Sequence, residues 1–273
     1  MELKVFQEQV LFAVSRITIP NEAGDSASIG TGFIVRVPVR ENETAFLLVS
    51  NKHVFEEDSR PILLNFHEKD ENGQPILGRT KSIRYIQYDS MFYAHPDPTI
   101  DLAALNISAV FSQGIYIRSI DSSLFPSFSE PDLYAGNEVW FVGYPENRFD
   151  VTHNLPLVRR GYIASAPKVD FNNKKEFLID AHVHRGSSGS PVFCSLQGKF
   201  KLLGVVTQTM IVNAQLQTLP THTSVGIQQT MGLGIVIKTD RVRELIDFAM
   251  TRIAPAAMAS NPPATETDPI QKK

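Results

Sequence analysis

The feature that most constrains this chain is a succession of short apolar segments, rich in Val, Ile, Leu and Phe and bounded by turn residues. They include Val10–Ile17, Thr31–Val37, Ala45–Ser50, Ile62–Phe66, Asp101–Ile107, Glu138–Val142, Gly161–Ala164, Phe177–Ile179, Pro191–Cys194, Leu202–Thr207 and Leu233–Ile237. About a dozen such segments, with almost no helical periodicity between them, describe an all-β sandwich or barrel. Asn72-Gly73, within the polar stretch Glu68–Lys81, marks a protruding hairpin turn. One helix is expected: Thr239-Asp240 can cap a segment in which Val242, Leu245, Ile246, Ala249 and Met250 recur at helical spacing. The turn-rich Ile120–Gly136 reads as a connection between two halves, and the Pro/Ala/Thr-rich residues after Ile253 as a disordered tail. The polar segment Gln208–Gly232 reads as a long loop, either shaping a pocket or simply solvated.

Bulk properties narrow the function classes. Of 273 residues, 42% are hydrophobic and 20% charged, with a net charge of −3. That profile is soluble and globular, and it does not suggest nucleic acid or an anionic membrane as the main partner. The single cysteine, Cys194, rules out an internal disulfide and leans towards a reducing compartment. Glu2, Lys4 and Glu8 stand where a signal peptide would place a basic start and an apolar run. A cytoplasmic protein with no membrane span is expected. Cys194 reads as a buried filler and Trp140 as core.

The densest chemical signal is Asp180–Phe193, which contains Gly186-Ser187-Ser188-Gly189-Ser190-Pro191 on a tight loop between two apolar segments. A glycine two residues before Ser188 lets the backbone turn, so that the N–H groups of Gly186 and Ser188 converge on an oxyanion. By itself the loop is equally a Gly/Ser-rich turn. A nucleophilic serine needs a neighbouring imidazole. His53 closes the apolar run Leu47-Leu48-Val49-Ser50-Asn51-Lys52-His53-Val54. The imidazole in turn needs a buried carboxylate to hold its tautomer. Asp101 leads directly into Leu102-Ala103-Ala104-Leu105-Asn106-Ile107, whereas its competitor Asp97 lies between two prolines. His182-x-His184 near Asp180 is a weak metal signal, so no metal and no cofactor are expected.

These segments together resemble the trypsin-like serine protease superfamily. Asp180-Ala181 with Gly186–Pro191 resembles the active-serine loop of HtrA/Deg-type proteases, and Gly189–Phe193 is also similar to that loop in bacterial glutamyl endopeptidases. Gly30-Thr31-Gly32-Phe33 resembles the family's G-[ST]-G-F strand, Ser50–Val54 its [ST]-N-x-H-V box, and Asp101–Ile107 its D-[LI]-A segment. Val142–Pro145 and Gly161–Ser165 resemble elements of a second barrel. The order His53, Asp101, Ser188 is that of chymotrypsin-like enzymes.

The resemblance implies two six-stranded antiparallel β-barrels and a C-terminal helix: residues 1–254 as one peptidase domain, with barrel one about 8–120, barrel two about 133–238, the helix about 240–253, and a tail 255–273. It implies a serine endopeptidase acting on a protein or peptide, with catalytic His53, Asp101 and Ser188 and an oxyanion hole at Gly186 and Ser188. The alternative is a catalytically silent fold serving as a binding or regulatory module. His182, Thr207 and Thr209 are expected to line the substrate pocket, with Thr207 near Asp101. His182 stands where enzymes preferring basic residues carry an acid, so a Lys/Arg preference is not expected. Ser187, uncharged, stands where zymogen-activated relatives carry aspartate, so no activating cleavage is expected. No PDZ-like segment is expected after the catalytic region, and a regulatory protein docking on Gln208–Gly232 is a further expectation.

Overall fold

The computed structural model describes residues 5–20, 26–41, 43–55, 61–217 and 224–260. The apolar segments become strands, and the chain divides into two β units. Strands β1 (Val14–Pro20), β2 (Ser26–Arg40), β3 (Glu43–Ser50), β4 (Ile62–Lys69), β5 (Pro75–Tyr85), β6 (Phe92–Ala94) and β7 (Ala103–Asn106) form a sheet in the order β5-β4-β1-β2-β3-β7-β6. Two short strands complete it, β8 (Ile115–Tyr116) against β4 and β9 (Ile120–Asp121) against β2. The second unit is a closed six-stranded barrel, β10-β11-β12-β15-β14-β13, built from β10 (Glu138–Gly143), β11 (Leu157–Ile163), β12 (Glu176–Asp180), β13 (Pro191–Leu196), β14 (Lys199–Gln217) and β15 (Ser224–Lys238).

Four expectations change. The first unit has nine strands rather than six, and among the described residues its hydrogen-bonded path runs from β5 to β6. Strand β5 is exposed along most of its length between Pro75 and Tyr85, with Ile83 and Tyr85 joining the core of the first unit. Val10 lies in a short helix, α1 (Phe6–Val10), not in a strand. Gln208–Gly232 is not a loop: β14 and β15 continue beyond the barrel as a hairpin, paired from Gln208↔Ile235 to Gln217↔Ser224. The C-terminal helix, α2, spans Thr239–Ser260 and runs through Pro255 rather than ending at 253. Proline removes one N–H and crowds the carbonyl four residues before it, a cost that the Ala-rich residues around Pro255 partly offset.

Three apolar clusters hold the molecule together. One fills the first unit around Ile17, Ile34, Leu48 and Leu64. A second fills the barrel around Phe141, Phe177, Val192 and Val206. The third joins the units to each other and to α2, bringing Phe33 and Leu47 together with Trp140, Phe193, Val242 and Leu245. Trp140 is core, packed edge-on to Phe6 and Phe200 and tilted against Phe193. Cys194 is buried in the barrel, and burial pushes its thiol up to about 11, which makes it inert. Asn72-Gly73 turns the β4–β5 hairpin, with Gly73 at φ 72° and Asp70 Oδ1 accepting the Asn72 and Gln74 N–H groups. Among the described residues no helix is long and apolar enough to cross a membrane.

Candidate active site

His53 and Asp101 are positioned by adjacent strands. β3 ends at Ser50, and the 3₁₀ turn Lys52–Val54 that follows carries His53. β7 pairs with β3 in the register Ser50↔Ala103, which brings Asp101, two residues earlier, alongside that turn. Asn51 Nδ2 donates to the Asp101 carbonyl at 2.8 Å and Lys52 Nζ to that of Pro98 at 3.1 Å, fastening the two ends together. Asp101 then receives His53 twice: its Oδ2 lies 2.6 Å from His53 Nδ1 and its Oδ1 accepts the His53 backbone N–H at 3.0 Å. The bidentate grip fixes both the position and the tilt of the imidazole, whose side chain is 37% exposed against 28% for the carboxylate. Asp97, the competing carboxylate, is engaged locally by Thr99 through its N–H at 2.9 Å and its hydroxyl at 2.7 Å.

Ser188 comes from the other unit. His184–Ser187 forms a turn closed by Ser187 N–H donating to the His184 carbonyl at 3.0 Å, with Gly186 at φ 83°. A positive φ at the third position is the type II geometry, which only glycine adopts without strain. A side chain at Gly186 would also strike the Tyr144 carbonyl. Gly189, at φ 85°, has no space for a Cβ either, since the Thr31 carbonyl and Ser50 Oγ occupy it. The loop's backbone bonds use the N–H groups of Ser187, Gly189 and Ser190, and among the described residues none uses those of Gly186 and Ser188.

Thr207 joins the two halves of the site. Its hydroxyl donates to Asp101 Oδ2 at 3.0 Å, and its carbonyl accepts Ser188 Oγ at 3.1 Å. His53, Asp101 and Ser188 are thus drawn together through one residue of β14. Burial works to raise the Asp101 carboxyl. The bonds and charge from His53, with the Thr207 hydroxyl, overcome it and hold the group below the usual carboxylate range.

The pocket residues divide. Thr207 is buried and serves Asp101 directly. Thr209 is half-buried, its hydroxyl reaching the Leu233 carbonyl of β15 at 3.4 Å. His182 is exposed, its Cε1 3.6 Å from where a Cβ on Gly232 would stand, and it stacks with His184 at 6.4 Å between ring centroids. His184 Nδ1 lies 3.6 Å from Glu146 Oε1. No three His, Cys, Asp or Glu side chains gather as a metal-holding group among the described residues.

One residue that sequence reasoning did not single out clamps the two units. Thr31, fully buried on β2, donates its hydroxyl to the Gly186 carbonyl at 2.7 Å and accepts the Tyr144 N–H at 3.1 Å. Its N–H donates to the Ser188 carbonyl at 2.9 Å, and its carbonyl accepts Ser50 Oγ at 2.6 Å. In the sequence this threonine stood only as the hydroxyl position of the G-[ST]-G-F segment, between Gly30 and Gly32, both packed too tightly for a side chain.

A family model described as a trypsin-like peptidase domain matches residues 30–205, which include His53, Asp101 and Ser188. No curated protein matches the chain.

Proposed function

Because the chain belongs to the trypsin-like peptidase family, we propose that it is a serine endopeptidase that cleaves peptide bonds through an acyl-enzyme on Ser188. One observation carries the reading: Thr207 holds Asp101 with its side chain and meets Ser188 with its carbonyl, while Asp101 grips His53 at two points. The ordered sequence boxes support an HtrA/Deg-type core in which the nine-stranded sheet forms the first barrel.

The chemistry follows from the atoms present. Ser188 Oγ releases the Thr207 carbonyl and attacks the substrate carbonyl carbon as its proton passes to His53 Nε2. Asp101, ionised, accepts from Nδ1–H, so Nε2 is the basic ring nitrogen, and the carboxylate then stabilises the imidazolium. The uncommitted N–H groups of Gly186 and Ser188 receive the developing oxyanion. His53 returns the proton to the leaving amine. A water activated by the same imidazole hydrolyses the ester, which restores Ser188.

A second reading, a silent fold used as a binding module, is favoured by the Ser188 hydroxyl lying on the Thr207 carbonyl. A fluorophosphonate probe separates the two. Covalent labelling of wild type, lost in Ser188→Ala, supports the peptidase. A folded wild type that takes no label supports the module.

A further inference from the structure

The hairpin formed by β14 and β15 is built unlike the rest of the surface. One edge of β14 is covered by β13 as far as Pro191↔Val205, and then by the serine loop through Val206 N–H to Ser190 O and Gly189 N–H to Val206 O. From Thr207 to Gln217 no strand pairs with that edge among the described residues. At ~3.4 Å per residue this is roughly 35 Å of unpaired backbone. It begins at the carbonyl that Ser188 touches.

Proteins ordinarily protect an exposed edge with charges, prolines or a very short strand. Here no Asp, Glu, Lys or Arg occurs anywhere from Leu202 to Ile237 in a chain that is 20% charged overall. β14 carries no proline, and Ile211 and Met231 are exposed large apolar side chains at the base of the hairpin. A two-stranded ribbon is marginally stable in water, and a third strand completes it.

We propose that the ribbon beyond Thr209 extends the peptide-binding edge beside the serine into a long track, along which some ten uncharged residues of substrate preceding the scissile bond add as a β-strand. The proposal deepens the peptidase reading and rests on it for the position of the bond. Every pairing within the barrel sheet is antiparallel. A strand added antiparallel to β14 runs from Gln217 towards Thr207 and arrives at Ser188 with its C-terminal end. Residues on the acyl side of the bond therefore lie along the ribbon. Main-chain hydrogen bonds supply affinity, and the missing charges leave extended, uncharged sequence as the matching partner. The two bulges, between Val206 and Gln208 and between Thr209 and Ile211, bend the strand beside the serine, where re-aiming of the edge is needed.

The test uses fluorescein-labelled peptides of Val, Thr and Gln with three, six or ten residues before a common bond. Their binding to the full-length Ser188→Ala protein is read by anisotropy, and turnover of unlabelled counterparts by wild type. Affinity is expected to rise roughly ten- to a hundredfold from three to ten residues, as several backbone bonds are added. In a variant with residues 212–229 replaced by Asn-Gly, all lengths bind alike, while an active-ester substrate is still hydrolysed at the wild-type rate. Equal affinity at every length in the Ser188→Ala protein overturns the proposal. So does a ribbon-dependent dimer, seen by light scattering, whose dissociation by dilution leaves length without effect, because the edge then serves a second copy. Length-dependent binding without ester hydrolysis by wild type counts against the peptidase reading alone.

Discussion

Replacing Thr31 by valine changes one buried oxygen and almost no volume, so its effect isolates the clamp between the two units. The hydroxyl donates to the Gly186 carbonyl at 2.7 Å and accepts the Tyr144 N–H at 3.1 Å, both among buried groups. Valine leaves a buried acceptor and a buried donor without partners, each costing about 1–3 kcal/mol. Added methyl burial recovers about 1 kcal/mol. The net loss is about 1–5 kcal/mol, and at roughly 2–4 °C per kcal/mol for a protein of this size Tm falls by about 2–20 °C. Because the Gly186 carbonyl belongs to the turn that aims the Gly186 N–H, turnover falls with it. A misplacement of about 1 Å lowers kcat/KM by the order of a hundredfold. Urea unfolding and peptide turnover are measured on wild type, Thr31→Val and Thr31→Ser. Serine keeps the oxygen and is expected to keep most of the activity. If Thr31→Val stays within about 0.5 kcal/mol of wild type with unchanged kcat/KM, the clamp does not hold the loop.

Other consequences follow from single sites. Gly189→Ala places a methyl on the Thr31 carbonyl at a φ of 85°, so fluorophosphonate labelling of Ser188 is expected to fall more steeply than Tm; unchanged labelling refutes the steric account. The Lys238 ammonium is buried, with a side chain 2% exposed, and bonds Asp170 Oδ1 at 2.8 Å and the Val169 carbonyl at 3.2 Å. Asp170→Asn strands that buried charge and is expected to cost about 3–5 kcal/mol in urea unfolding, whereas Lys238→Met costs less; the reverse order sinks the argument. His67 is buried, and burial lowers its pKa despite the bond it donates to the His153 carbonyl at 2.7 Å. Its folded value lies below the unfolded one, so its contribution to stability is present above about 6.5 and is lost as pH falls through that value. Unfolding free energy should therefore drop between pH 7.5 and 5.5 more in wild type than in His67→Gln, and equal drops would show that His67 does not drive the change.

Local patterns carried a large part of the structure. Alternating or continuous apolar segments between turn residues fixed most strands, because burial of one face and β-branched packing act over a few residues. The hairpin at Asn72-Gly73 and the start of α2 at Thr239 were legible for the same reason: a turn and a cap are decided by their own residues. Where local signals were weak, tertiary structure decided. The β14–β15 ribbon read as a loop because Gln, Thr and Asn dilute its alternation and nothing in the neighbouring sequence shows that residues 208–217 pair with 224–235. The strand order from β5 to β6 depends on pairings between distant residues, a non-local matter.

The candidate site divides along the same line. His53, Asp101 and Ser188 could be named because each sits in a short pattern of its own, on a strand end or a glycine turn. Thr207 was expected near Asp101 from the resemblance, but that its carbonyl also meets Ser188, and that Thr31 ties β2 to the oxyanion turn 155 residues away, depended on two units folding against each other. A threonine's role is set by what its hydroxyl meets. Those partners arrive from distant parts of the chain, so only the packed structure could assign them.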